Sequence, residues 1–176
     1  FPDAVARAEI ERSLLMPASN LFREIQGPVA AASIAQAHRA VLNDGRVVAV
    51  KVLRPGVERR IEKDVGVMRL GARLVETAAP PLRRLEPRAF VETVARSLEL
   101  EIDLRLEAAA ASELGEIMER DAHMRAPKVV WEGVGRRVLT LEWAQGLAMS
   151  DPHALEQPGI DRKALADNII RGFLTQ

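Results

Sequence analysis

Lys51 stands near the end of Val47-Val48-Ala49-Val50-Lys51-Val52-Leu53, a run apolar at every other position, where an ammonium must replace its lost hydration with a carboxylate or a phosphate. The chain holds 4 lysines among 25 basic residues, so lysine is not its routine surface cation. A compact ammonium suits a phosphate oxygen as a point charge, whereas a guanidinium prefers a planar bidentate partner. Upstream lies an alanine loop, Ala30-Ala31-Ala32-Ser33, placed to approach phosphates ahead of the lysine. Downstream, Glu101, Asp103 and Glu107 punctuate a helical run of Leu and Ile, and one of them can pair with Lys51. The plainer readings are a strand-end lysine that snorkels to water and a solvated acidic helix face.

These residues need elements to position them. Apolar positions in Asp3 to Met16 predict a short amphipathic helix closed by Pro17, and Ser19-Asn20 cap one further turn containing Leu21, Phe22 and Ile25. Ile34 to Leu42 and Arg46 to Leu53 read as a hairpin, with Asn43-Asp44-Gly45 supplying the positive φ of a tight turn. From Val57 to Ala79 the spacing of Val57, Ile61, Val65, Met68, Ala72 and Val75 predicts a helix ending at Pro80-Pro81. A longer helix starts near Pro87, a residue suited to a first helical turn, and runs to about Glu119. On that continuous helix Asp103 and Glu107 share a face, with Glu101 about 160° from Asp103. Lys128 to Trp131 and Arg137 to Leu141 read as short strands around a Gly133 and Gly135 turn, and Asp161 to Leu174 as a last helix. The expected fold class is α+β, an antiparallel sheet of about four or five strands with helices packed to one side.

Composition narrows the function. With 176 residues, 48% of them hydrophobic, the chain can build one good core. Its 25 basic and 25 acidic residues cancel, leaving no long-range field to recruit nucleic acid. The absence of cysteine excludes a disulfide scaffold and a thiolate metal site. His38, His123 and His153 have no metal-ligand spacing, and Asp151-Pro152-His153 is not a catalytic loop. Neither a signal peptide nor an apolar run of about 20 residues is present, so this chain is expected to be soluble.

A lysine in an apolar strand and a glutamate on a following helix are the two halves of the ion pair with which phosphoryl-transfer folds hold ATP phosphates. Pro28 to Pro55, Glu101 to Ala111 and Arg137 to Gly146 together resemble the UbiB/ADCK group of atypical protein-kinase-like proteins. In that family an Ala-Ala-Ala-Ser loop replaces the usual glycine-rich loop, and Ala30, Ala31, Ala32 and Ser33 match it residue by residue. Ala37 stands where the family more often has valine, and Leu106 and Ala110 where it commonly has arginine and asparagine. The resemblance implies that Lys51 and Glu107 are the nucleotide-binding pair. It implies further that Glu101 and Asp103 form the family's Glu-x-Asp motif, which engages an N-terminal Lys-x-Gly-Gln element. Backbone groups of Glu142, Trp143 and Ala144 would meet adenine at a hinge, although a strand ending at the Gly146 turn explains that segment as well.

By this resemblance the chain is a kinase-like N-lobe, with a helical extension at residues 1–27, the lobe at 28–146 and the start of a C-lobe at 147–176. ATP or ADP with Mg²⁺ is the implied cofactor, and no residue of this chain is expected to be catalytic or to hold the metal. No H-x-D loop or D-F-G motif occurs in the sequence, and the family's His-x-Asp-Pro-His-Pro-Gly-Asn segment is expected beyond Gln176. Alanine restricts the φ angles that glycine would allow and obstructs close approach to phosphates, which fits an ATPase or small-molecule activity better than protein phosphorylation. The implied setting is prenyl-quinone biosynthesis at the cytoplasmic face of the inner membrane. Quinone precursors and quinone-biosynthesis proteins are the implied partners, with membrane contact through regions outside this chain. A non-catalytic scaffold or lipid-binding module, braced by the Lys51 to Glu107 pair, and a small-molecule phosphotransferase are the alternatives.

Overall fold

The computed structural model describes residues 1–174 apart from Ala122, Ser150 and Pro152. Four antiparallel strands form one sheet in the order β1-β2-β3-β4, with β1 at Phe22–Ala31, β2 at Ala35–Leu42, β3 at Val47–Leu53 and β4 at Val138–Glu142. Helices α1 (Asp3–Leu14), α2 (Val57–Ala78), α3 (Pro87–Glu101), α4 (Leu104–Met118) and α5 (Arg162–Leu174) complete the fold. The β2–β3 turn closes as its sequence requires, with Gly45 at φ 92° and its amide bonded to the Leu42 carbonyl at 3.0 Å.

Because β3 is apolar on both faces, both faces are covered, and the helices do not pack to one side as expected. On one face Val48, Val50 and Val52 join Ala40, Leu42, Val138 and Ile10 of α1 in one core cluster. On the other, Leu53, Ala35 and Leu139 pack under Ile102, Leu104 and Ala108. Of the helices expected on the sheet, α4 packs there, while α2 meets it at Val57 and its Arg69 holds Glu92 of α3 through two bonds of 2.8 and 2.7 Å.

Three local expectations are corrected. The turn expected around Leu21, Phe22 and Ile25 is the start of β1, after a short 3₁₀ turn at Ala18–Asn20. As an edge strand, β1 buries Phe22 and exposes most of its remaining residues, so it lacks the two-residue apolar alternation that marks a half-buried strand. It also tolerates Pro28 beside two register shifts. Residues 128–131 form no strand, only a bridge from Val129 to Leu141 followed by a 3₁₀ turn at Trp131–Gly133.

The third correction is the break between α3 and α4. In one continuous helix Ile102 and Leu104 would project about 160° apart. Both are buried here in the same cluster, which requires the chain to bend between them. The bend is stabilised by Asp103, which caps α4 by accepting from the Arg105 amide, and by the Leu104 amide, which reaches the Arg136 carbonyl at 2.9 Å. Glu101 therefore ends one helix and Glu107 sits in the first turn of the next, so the shared-face geometry inferred for a single helix does not apply.

Candidate functional site

Strand register assembles the site. Ala30 pairs with Ala37, Ala37 with Lys51 and Lys51 with Leu139, so the alanine segment and the lysine lie in one row across the same sheet face. Two strand spacings put them roughly 10 Å apart. Ala30 and Ala31 finish β1, while Ala32 and Ser33 make the turn, closed by the Ala32 amide on the Ala35 carbonyl at 2.8 Å. All four are exposed.

Helix α4 crosses this face and aims Glu107 at the row. The Lys51 ammonium donates to both Glu107 carboxylate oxygens, at 2.9 and 2.6 Å. The burial expected for Lys51 is not found: its side chain is 36% exposed and that of Glu107 46%. The strand's own alternation explains this, since neighbouring Val50 and Val52 point into the α1 side while Ala37 beside Lys51 is too small to cover it. The pair thus presents a cation and an anion at an open surface, where an incoming phosphate can compete with Glu107 for the ammonium.

Glu101 is exposed, and Asp103 is engaged locally: Arg105 donates to its two oxygens at 2.9 and 2.6 Å. That side-chain bond, opposed by partial burial and aided by the Arg105 amide and the charge of Arg136, holds the Asp103 carboxyl below the usual carboxylate range. Asp103 and Glu107 are therefore not one acidic patch: one caps a helix and the other grips Lys51.

At the far end of the same face, β4 runs into Glu142-Trp143-Ala144. The Glu142 amide is used by the Lys128 carbonyl at 2.8 Å and the Trp143 amide by the Val47 carbonyl at 3.1 Å, which leaves the Ala144 amide as the segment's available donor. A cavity of about 420 Å³ opens at this end of the sheet, lined by Arg46, Val48, Lys128, Val130, Glu142 and Trp143; Val48 and Val130 belong to the α1-side core, so it lies off the Lys51 face, and one Glu142 carboxylate oxygen is buried without a partner. The Arg39 guanidinium lies 5.7 Å from the Trp143 ring and caps this end of the face. Among the described residues no cluster of three or more His, Asp or Glu could hold a metal ion.

Sequence reasoning missed Arg39, Arg54 and Arg137. Arg54 donates to the Ala32 carbonyl at 2.9 Å, and Arg137 donates to the Arg54 carbonyl at 3.0 Å and to buried Glu9 at 2.9 Å. The signal available for Arg54 was its place three residues after Lys51, just ahead of the Pro55-Gly56 stop; for Arg137 there was none, because its partners lie 79 and 128 residues away in Glu58 and Glu9.

A small antiparallel sheet whose strand lysine is held by a helix glutamate gives the chain a kinase-like fold. The ABC1 atypical kinase-like domain family matches residues 1–176, and the chain belongs to that family. Similar proteins include "Probable protein kinase UbiB" of Xylella fastidiosa strain M23 and of Marinobacter nauticus, each 40% identical over 177 residues. These matches cover 100% of this chain and 32% of each relative, so the chain spans about a third of their length. A solved structure of a Mycobacterium tuberculosis protein in complex with erythromycin superposes with a TM-score of 0.73 at 27% identity, covering 85% of this chain and 37% of that one. No helix among the described residues is long and apolar enough to cross a membrane.

Proposed function

We propose that this chain is the nucleotide-binding lobe of a longer UbiB-like atypical kinase or ATPase that supports prenyl-quinone biosynthesis. The observation that carries the reading is the row Ala30–Ala37–Lys51, with Glu107 gripping the lysine from α4. Lys51 would bind the nucleotide phosphates and Glu107 would hold it in place before and beside them. The turn at Ala32-Ser33 would cover the phosphates, and the Ala144 amide would donate to the adenine edge. Bound ATP or ADP with Mg²⁺ supplies the transferable phosphoryl group and its charge neutralisation. The metal ligands and the group that positions the nucleophile would come from the remainder of the longer protein, as would contact with the cytoplasmic face of the inner membrane. Quinone precursors and other quinone-biosynthesis proteins are the proposed partners.

The alternative, a scaffold braced by the Lys51 to Glu107 pair, is disfavoured by the exposure of that pair, because exposed ion pairs contribute only about 0–1 kcal/mol. Thermal unfolding of the full-length protein with and without Mg-ADP tests the reading. Ligand at a hundred times its Kd adds about 2.7 kcal/mol to a protein that binds it. The wild type is expected to show that shift and Lys51→Ala to lose it; an equal shift in both would refute the assignment of Lys51.

A further inference from the structure

The alanine loop is held from behind by one arginine. Arg54 bonds it twice, with its own amide on the Ile34 carbonyl at 2.8 Å and its Nε on the Ala32 carbonyl at 2.9 Å. Beyond the pairing of Ala30 and Ala31 with β2 and the Ala32 amide on the Ala35 carbonyl, the loop offers only short, exposed side chains. Arg54 is in turn fixed through its own carbonyl. Arg137 donates Nη2 to the Arg54 carbonyl at 3.0 Å, and the Arg137 carbonyl accepts the amide of neighbouring Leu53 at 3.0 Å.

Arg137 is itself locked to α1 and α2. Its Nε meets Glu9 at 2.9 Å, its Nη1 meets Glu58, and its amide donates to the Ser13 hydroxyl at 3.1 Å. This junction is well shielded, with the Arg137 side chain 16% and the Glu9 side chain 5% exposed. At the start of α1 the Phe1 ring also lies against the Arg54 guanidinium, 6.0 Å from it. The segment leading into α1 therefore touches Arg54 through Phe1, and α1 itself reaches it through Glu9, Ser13 and Arg137.

We infer that Arg54 is a positioning residue that sets the place of the alanine loop over the nucleotide phosphates, and that α1 governs it through the Glu9–Arg137–Arg54 chain. This rests on the nucleotide-binding reading above. A glycine-rich loop can close by backbone rotation, whereas four residues with Cβ atoms have fewer conformations available. A side-chain bond to the Ala32 carbonyl then has leverage over where the whole turn sits. Release of that bond frees the loop.

Hydrogen exchange on the full-length, nucleotide-free protein tests this. Arg54→Met retains the backbone bond to Ile34 and loses the one to Ala32. It is expected to speed exchange across residues 30–34 about five-fold, the factor one hydrogen bond of ordinary net strength is worth, and to weaken Mg-ADP binding by a similar factor. Exchange in β3 and β4 stays as in the wild type, and Arg54→Lys, which keeps a donor, recovers part of the effect. Glu9→Gln is expected to speed exchange in the same loop without touching it; should that variant fail to fold, Ser13→Ala loosens Arg137 more gently and carries the same expectation. Unchanged loop exchange in Arg54→Met overturns the role of Arg54, and a response to Glu9→Gln or Ser13→Ala confined to α1 and Arg137 overturns the link. Lys51→Ala should abolish the Mg-ADP shift and leave loop exchange as it was, so failure of the nucleotide reading, seen as no shift in the wild type, is distinguishable from failure of this one.

Discussion

Lys51 and Glu107 make a close, two-pronged contact, yet both side chains keep a third or more of their surface in solvent. Water screens such a pair, and holding two long side chains in one geometry costs entropy, so its net contribution to folding is about 0–1 kcal/mol. Lys51→Met is therefore expected to change the unfolding free energy of the nucleotide-free protein by no more than about 1 kcal/mol by denaturant titration. The same variant should lose its response to Mg-ADP. A large stability loss without nucleotide would instead favour the bracing role. At this scale the sequence was informative about residue types: a lysine in an apolar strand and a glutamate on a later helix were legible. Their exposure was not, because it depends on Ala37 beside Lys51 and on where α4 crosses the sheet.

Between elements, the break at Asp103 and the close approach of Gly135 to α1 matter most. Asp103 caps α4 and is paired with Arg105, so Asp103→Ala is expected to cost about 1 kcal/mol while Asp103→Asn, which can still cap, costs less. Its carboxyl is held below the usual range, so its contribution is fully present above about pH 4, where the unfolded chain's aspartates are ionised, and is lost as pH falls through the lower folded value. Stability measured by denaturant titration should fall on acidification below about pH 4, and less steeply in Asp103→Asn. A Cβ on Gly135 would lie 2.7 Å from the Ser13 carbonyl oxygen and 2.6 Å from its hydroxyl, against the backbone of the α1 segment. Gly135→Ala is expected to destabilise by about 1–3 kcal/mol, with the loss of protection greatest in α1. The helix periodicities of α2 and α5 were legible because each keeps one apolar stripe. The α3–α4 break was not, because Leu98, Leu100, Ile102, Leu104 and Leu106 alternate with charged residues straight through it, with no glycine or proline to mark it.

Across the whole molecule, the Glu9–Arg137–Glu58 junction ties α1, β4 and the start of α2 at one point. Arg12 still pairs with Glu9 when Arg137 is removed, so the buried carboxylate loses one of two arginine partners, and Arg137→Ala is expected to cost about 1–3 kcal/mol, read as a lowered denaturant midpoint. The chain as given has no carboxylate cluster to hold Mg²⁺ among its described residues and no H-x-D or D-F-G sequence. Phosphoryl transfer needs such a metal and a positioned nucleophile. The isolated 176-residue chain is therefore expected to show no Mg-ATP hydrolysis that Lys51→Ala abolishes.

The sequence by itself determined most of the scaffold and the residues placed on it: the lysine strand, the alanine loop, the tight turn at Gly45, the helix periods and the family they match. Each is local, set by residue type and by spacing within a few turns or one hairpin. Only the tertiary structure decided that α1 and α4 cover opposite faces, that β1 is an edge strand, that Asp103 divides two helices and that Arg137 joins Glu9 to Arg54. Those outcomes depend on which side chains can be buried together, and on partners more than a hundred residues apart, which no local pattern encodes.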